Sequence, residues 1–304
     1  MFFGISTFHI LKLFQLFFVG IWFLRFRPTK RWLLGLLLIP LLSMLIPGSY
    51  ESGDFSTHIV RALDLENSLR LGIFPVQWAS LLNGGYGYPL FLFFAPLPYY
   101  ILILFHSVGF SFVFGMKLFL SLAYVFAGLG MYACVYALSQ SKPAAVISAI
   151  LYAFAPYMLI NVFFRAAMGE LGGFAILPFL ATAIIEKKPK YFCFLYALLI
   201  LVHPGVTLLA TPLLLMAVVL MKRMRMFLFP FFLAIGLSAW YLMPALLESR
   251  FTLQAIHAEQ VWILSSFPKI WELFISPWRW GFLFQGHYGE LAYTVGIMHW
   301  IVVL

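Results

Sequence analysis

Eight mostly apolar runs follow one another along the chain, at 2–24, 32–47, 89–108, 113–138, 144–160, 171–185, 190–221 and 227–247, with a last one at 291–304. A helix needs about 20 such residues to cross the roughly 30 Å hydrocarbon layer, with about 17 as a practical minimum. Several runs reach that length. Only 10% of the 304 residues are charged and 64% are hydrophobic, against about 25% and about 45–50% in an ordinary soluble domain. A soluble globular fold of this size would need far more polar surface. The expectation is therefore an all-α polytopic membrane protein, 1–304 forming a single membrane domain of about eight to nine transmembrane or re-entrant helices. The final run stops after 14 residues, so a carboxy-terminally truncated fragment, or an unusually short last helix, is expected.

The net charge of +9 is concentrated between apolar runs. Arg25, Arg27, Lys30 and Arg31 form one cluster; Lys187, Lys188 and Lys190 a second; Lys222, Arg223 and Arg225 a third. Short basic clusters beside apolar runs act as the signal that retains loops on the cytoplasmic side, and no nucleic-acid partner is expected. Cys134 and Cys193 both lie inside apolar runs with no metal-ligand spacing, as small packing residues do. The run 2–24 is too long for a signal-peptide core and reads as a membrane helix, with a surface-lying helix as the alternative that Lys12 leaves open. Lys117, at the start of a span, reads as a snorkelling side chain.

Two stretches are too polar and too punctuated to cross the bilayer, 48–88 and 248–290. They are expected to be the first and second extracytoplasmic loops. Within the first, roughly 54–70 should be a helix lying at the membrane surface. Phe55, Ile59, Ala62, Leu63 and Leu69 would form its apolar side, set against Asp54, His58, Arg61 and Glu66. The second carries Arg250, His257, Glu259, Trp262, Trp271, Trp278 and Trp280, and tryptophans at that density suit the headgroup zone. Pro89, Pro96 and Pro98 mark 89–108 as a partial, re-entrant element, while 190–221 reads either as a hairpin with His203-Pro204-Gly205 at its tip or as one kinked span.

Asp54, His58 and Arg61 stand at i, i+4 and i+7, on one helix face, with Glu51 just upstream. A carboxylate held beside His and Arg at a membrane surface can act as a general base or ligate a divalent ion. Equally, Asp54 could be an N-cap following Ser52-Gly53. Arg165 and Glu170 bracket a short break between apolar runs. Ionisable groups at that depth either pair with each other or serve a function. His203, in mid-run, is either a hydrogen-bonded helix-break residue or faces a ligand.

Several motifs in this region resemble a known family. They are Gly53-Asp54-x-x-x-His58, Gly72-x-Phe74-Pro75-x-x-Trp78, Gly85-Tyr86-Gly87-x-Pro89 and Pro96-x-x-Tyr99-Tyr100. Together they look like the bacterial integral membrane family labelled 6-pyruvoyl-tetrahydropterin synthase-related, which is similar to the GT-C superfamily of polytopic glycosyltransferases. The stretch Arg165–Glu170 with Pro178, the His203 element and Trp240–Glu248 fit the same pattern. The resemblance covers about 50–300 and has nothing in common with the soluble pterin synthase or its zinc site. It implies a polyprenyl-phosphate sugar donor drawn from membrane lipid, and an extracytoplasmic acceptor that is a glycan, lipid or protein. It implies inverting transfer assisted by an acidic residue of the first loop, in a bacterial inner (plasma) membrane. On this sequence Asp54 would be that residue, supported by His58. Glu51, Arg61, Arg165, Glu170, His203 and Arg250 would form the substrate-binding set. Many superfamily members show adjacent carboxylates; here Ser52-Gly53 separates Glu51 from Asp54, which leaves use of a divalent metal open. A transporter or flippase and a non-catalytic scaffold of envelope assembly are the competing readings.

Overall fold

A computed structural model describes residues 30–252, 268–276, 291–292 and 294–303. The run 2–24, Arg25 and Arg27, and His257, Glu259, Trp262, Trp278 and Trp280 lie outside them. Among the described residues the chain is helical, with one isolated antiparallel bridge between Ala79 and Tyr88.

The helices are α1 (Lys30–Leu38), α2 (Phe55–Arg70), α3 (Leu97–Ser107), α4 (Phe112–Ser139), α5 (Lys142–Ala153), α6 (Pro156–Ile160) and α7 (Met168–Ile185). They continue with α8 (Pro189–Val202), α9 (Pro204–Leu220), α10 (Met224–Leu237), α11 (Ala239–Glu248) and α12 (Ile297–Val303). Two of them, α4 and α7, are long and apolar enough to cross a membrane. The count rises to four if each of two bent pairs is one span, α5 with 156–165 at 49° and α10 with 239–251 at 70°. The 28 residues of α4 extend about 42 Å, longer than the hydrocarbon layer is thick.

Proline and serine explain the breaks. Ala155 and His203 each precede a proline and take extended backbone, as crowding by the pyrrolidine ring demands. Ser238 turns its hydroxyl onto the carbonyls of Ala197 and Ala234 at the α10–α11 bend, a back-bond that competes with the helical ladder.

The helix α4 packs on α5 and α7, α7 on α8, and α8 on α10. Close approach is set by glycine. A Cβ at Gly128 of α4 would lie 2.8 Å from Leu37, and one at Gly130 would lie 2.8 Å from Phe179 of α7. On α7, Gly169, Gly172 and Gly173 face Val202, His203 and Val206 at the α8–α9 break.

Two readings are corrected. In α2 the buried side is Phe55, His58, Ala62, Asp64, Leu65 and Ser68, so His58 turns inward while Leu63 of the expected apolar side is 45% exposed. The helix is turned by what it packs against, α3 and α4, not by its own apolar stripe. Lys117 does not snorkel. It is buried, and its ammonium donates to the Ile46 carbonyl at 2.6 Å, an acceptor left free where the 3-10 turn Pro40–Leu45 ends. Among the described residues of 291–304, seven are helical, those of α12.

Candidate functional site

The start of α2 is fixed from a distant part of the chain. The N–H groups of Gly53 and Asp54 donate to the carbonyls of Phe164 and Arg165 at 2.8 and 3.0 Å, and the Tyr50 hydroxyl donates to Val162 at 2.5 Å. Those acceptors belong to a π-helical turn, Asn161–Arg165, which follows α6 and ends on left-handed Ala166. Wide turns of this type leave carbonyls free and cluster at functional sites. Asp54 occupies the N-cap position of α2, but its carboxylate caps nothing. The Ser52 hydroxyl accepts from the Phe55 N–H instead, at 3.1 Å. The Asp54 side chain is half-buried and uncommitted.

One turn on, His58 is 5% exposed. Its Nδ1 lies 2.7 Å from the Tyr99 hydroxyl, to which Arg61 Nη1 donates weakly at 3.5 Å. The Arg61 guanidinium sits over the Phe94 ring, 4.6 Å from its centroid. A hydroxyl that accepts from Arg61 is left to donate to His58 Nδ1, which places the imidazole proton on Nε2. Burial, then the neighbouring Arg61 charge, pushes the His58 pKa down to about 3. At neutral pH this imidazole is therefore uncharged.

Opposite stands the Arg165–Glu170 pair. Arg165 Nη2 and Nη1 donate to Glu170 Oε1 and Oε2 at 2.7 and 2.8 Å, and Nη1 also reaches Asn161 Oδ1 at 2.8 Å and the Tyr157 hydroxyl at 3.1 Å. Tyr157 donates in turn to Glu170. A bidentate fork of this kind fixes both partners. His203 caps α9, its Nδ1 accepting from the Val206 N–H at 2.9 Å, so its Nε2 also carries the proton. Gly169 leaves room for this imidazole against the first turn of α7: a Cβ there would lie 2.8 Å from His203 Cδ2 and 3.0 Å from the Val202 carbonyl oxygen.

These elements enclose one cavity of about 440 Å³, lined by Asp54, His58, Arg61, Arg165, Glu170 and His203 together with Phe94 and Tyr99. Six of the eight candidate residues thus converge, from stretches more than 100 positions apart. Glu51 and Arg250 do not line it; both are exposed, and Arg250 lies over the ring of Phe251. Of the two arginines on the cavity, Arg165 is committed to Glu170. No carboxylate among the described residues pairs with Arg61, whose Nε is buried without a partner. No three of the described His, Cys, Asp and Glu side chains are grouped as a cation would require. With Glu170 held by Arg165, Asp54 is the one carboxylate among the described residues on the cavity that no side chain holds.

Four participants escaped the sequence reading. Tyr157, Asn161 and Arg165 stand at i, i+4 and i+8, a helical spacing that signals a shared face. Tyr99 lies within a motif already singled out, but its link to His58 spans 41 positions. Asp64, buried on α2, accepts from Ser80 Oγ and the Leu81 N–H at 3.2 Å each, and so anchors the glycine-rich loop. No protein-family model, curated protein or solved structure matches the chain.

Proposed function

We propose that the chain is a GT-C-like membrane glycosyltransferase, transferring a sugar from a polyprenyl-phosphate donor to an extracytoplasmic acceptor at a bacterial inner membrane. In this reading the shorter apolar helices complete a domain of eight to nine spanning or re-entrant segments, and residues 48–88 form its extracytoplasmic cap. The observation that carries the reading is the convergence of Asp54, His58, Arg61, Arg165, Glu170 and His203 on one cavity beside apolar helices. A donor soluble only in lipid requires a polar site at that boundary.

The chemistry assigns each group a task. Arg61, with donors to spare, meets the donor phosphate. An acceptor hydroxyl attacks the anomeric carbon from the face opposite that phosphate. The carbon–oxygen bond to phosphate breaks, its electron pair leaves with the phosphate, and the hydroxyl proton passes to Asp54. Configuration inverts. His58 does not move a proton: buried and neutral, it holds Tyr99 and, through it, Arg61. The Arg165–Glu170 pair fixes the backbone to which Asp54 is tied.

General bases contribute about 10²–10⁴-fold. With radiolabelled polyprenyl-phosphate sugars and purified protein, Asp54→Asn should lose turnover by that factor while melting as the wild type does, since the carboxylate makes no cap bond. Equal turnover by both removes Asp54 as the base. Uptake by proteoliposomes without product favours the transporter or flippase. An intact envelope phenotype after substitution of Asp54 and His58 favours the scaffold.

A further inference from the structure

A second cavity, of about 700 Å³, opens on the other side of Arg61, between the first turns of α2 and the glycine-rich loop. Ser56, Thr57, Asn83 and Tyr88 line it, with Arg61 and Leu82. Among the described residues, none of those four neutral side chains makes a hydrogen bond within the chain. Each is able both to donate and to accept, and no carboxylate among the described residues lines the groove. A ligand matching that inventory carries groups that also do both, with apolar C–H faces to lie on an aromatic ring. Sugar hydroxyls and sugar rings have this chemistry. A cation would find no counter-charge here, and an alkyl chain would leave four polar groups unpaired.

The groove is preorganised. Ala79 and Tyr88 exchange backbone hydrogen bonds at 2.9 and 3.2 Å, and buried Asp64 clamps Ser80 and Leu81. Gly87, at φ +69°, lets the chain pass over Trp78, where an added Cβ would lie 2.2 Å from Nε1. These ties hold Asn83 and Tyr88 across from Ser56 and Thr57. Arg61 lines both cavities, and Asp54 precedes Ser56 and Thr57 by less than one helical turn.

We infer that this outer groove is the acceptor subsite and that the acceptor is a glycan, which presents one sugar hydroxyl past Arg61 to Asp54. The inference rests on the transferase reading above. The reacting hydroxyl gives its proton to Asp54, its oxygen bonds to the anomeric carbon, and the phosphate departs with the electron pair of the broken bond.

The test uses the full chain in phospholipid nanodiscs, free of sugar-bearing detergent. Saturation-transfer NMR is run with tetrasaccharides of β-1,4-linked N-acetylglucosamine, α-1,4-linked glucose and α-1,6-linked mannose. Ring protons of at least one should receive saturation. Thr57→Val and Asn83→Gly should each weaken that binding about three- to tenfold, the effect of one lost hydrogen bond. Both sites are exposed, and glycine keeps the left-handed backbone of Asn83 at φ +54°, so melting should be unchanged. Saturation of none of the three, or equal affinity in both variants, overturns the inference. Should the wild type turn over a lipid-linked donor while both variants keep the wild-type acceptor KM, the groove is not the acceptor subsite and the transferase reading survives. Should binding depend on Thr57 and Asn83 while no donor is turned over, the glycan site stands and the transferase reading falls.

Discussion

The closeness of α7 to the α8–α9 break is the feature on which His203's place in the cavity depends, and a single methyl group tests it. In Gly169→Ala the new Cβ would stand 2.8 Å from His203 Cδ2 and 3.0 Å from the Val202 carbonyl oxygen, well inside the 3.5–4.0 Å at which carbon contacts are favourable. The imidazole cannot simply swing away, because its Nδ1 holds the Val206 N–H, and the carbonyl is backbone. Inserting a methyl group into such a site costs about 1–3 kcal/mol. Alanine's better helix propensity returns less than about 1 kcal/mol, for a net loss of about 1–2 kcal/mol. The control is Gly236→Ala in α10, where an added Cβ meets nothing within 4 Å. That change should be neutral or stabilising by up to about 1 kcal/mol. Thermal unfolding of the purified protein in nanodiscs, followed by tryptophan fluorescence, should rank Gly236→Ala at or above wild type and Gly169→Ala below it. If Gly169→Ala melts with the wild type, the α7 contact at His203 is looser than described and the cavity lacks its third wall.

Two further outcomes follow from the same cavity. Arg165→Met strands Glu170, and Glu170→Met strands Arg165. Breaking a buried pair costs about 3–5 kcal/mol, and with side chains 20% and 18% exposed the loss here should be about 2–3 kcal/mol. The double variant should recover much of either single loss, and strict additivity in the unfolding cycle would deny the pairing. His58 sets a pH dependence of known sign: its folded pKa of about 3 lies below the unfolded 6.5. Stability is therefore complete above pH 6.5 and is lost as protons bind the unfolded chain between 6.5 and 3, amounting to about 2 kcal/mol by pH 5. His58→Gln should flatten that part of the stability curve, and an unchanged slope would mean that the imidazole is not held neutral.

How much of this was readable beforehand depends on the range of the interaction. The apolar runs, their punctuation by proline and the helix at 55–70 are local properties, and the structure finds helices in each described run. The i, i+4, i+7 spacing of Asp54, His58 and Arg61 marked one helix face correctly, since the α-helical period alone decides it. It could not decide which face of α2 turns inward. The stripe of Phe55, Ile59, Ala62, Leu63 and Leu69 argued for one side, and contacts with Tyr99 and α4 turned the helix so that His58 is buried and Leu63 exposed. The N-cap role open to Asp54 fell to Ser52 because the backbone of Gly53 and Asp54 is tied to Phe164 and Arg165, a link invisible along the sequence.

By itself the sequence determined the helical, apolar character of this protein. With one charged residue in ten and apolar runs up to bilayer length, it gives helices of which two, or four if each bent pair is one span, are long and apolar enough to cross a membrane. It also determined where helices break, since proline and its crowding of the preceding residue act within a few bonds. Only the tertiary structure decided that Arg165 belongs to Glu170, that Arg61 is left with donors to spare, and that Arg250 and Glu51 stand apart. Those outcomes rest on which glycines let helices approach and on which carbonyls an incoming segment can reach, and such distances are settled by packing between residues a hundred positions apart.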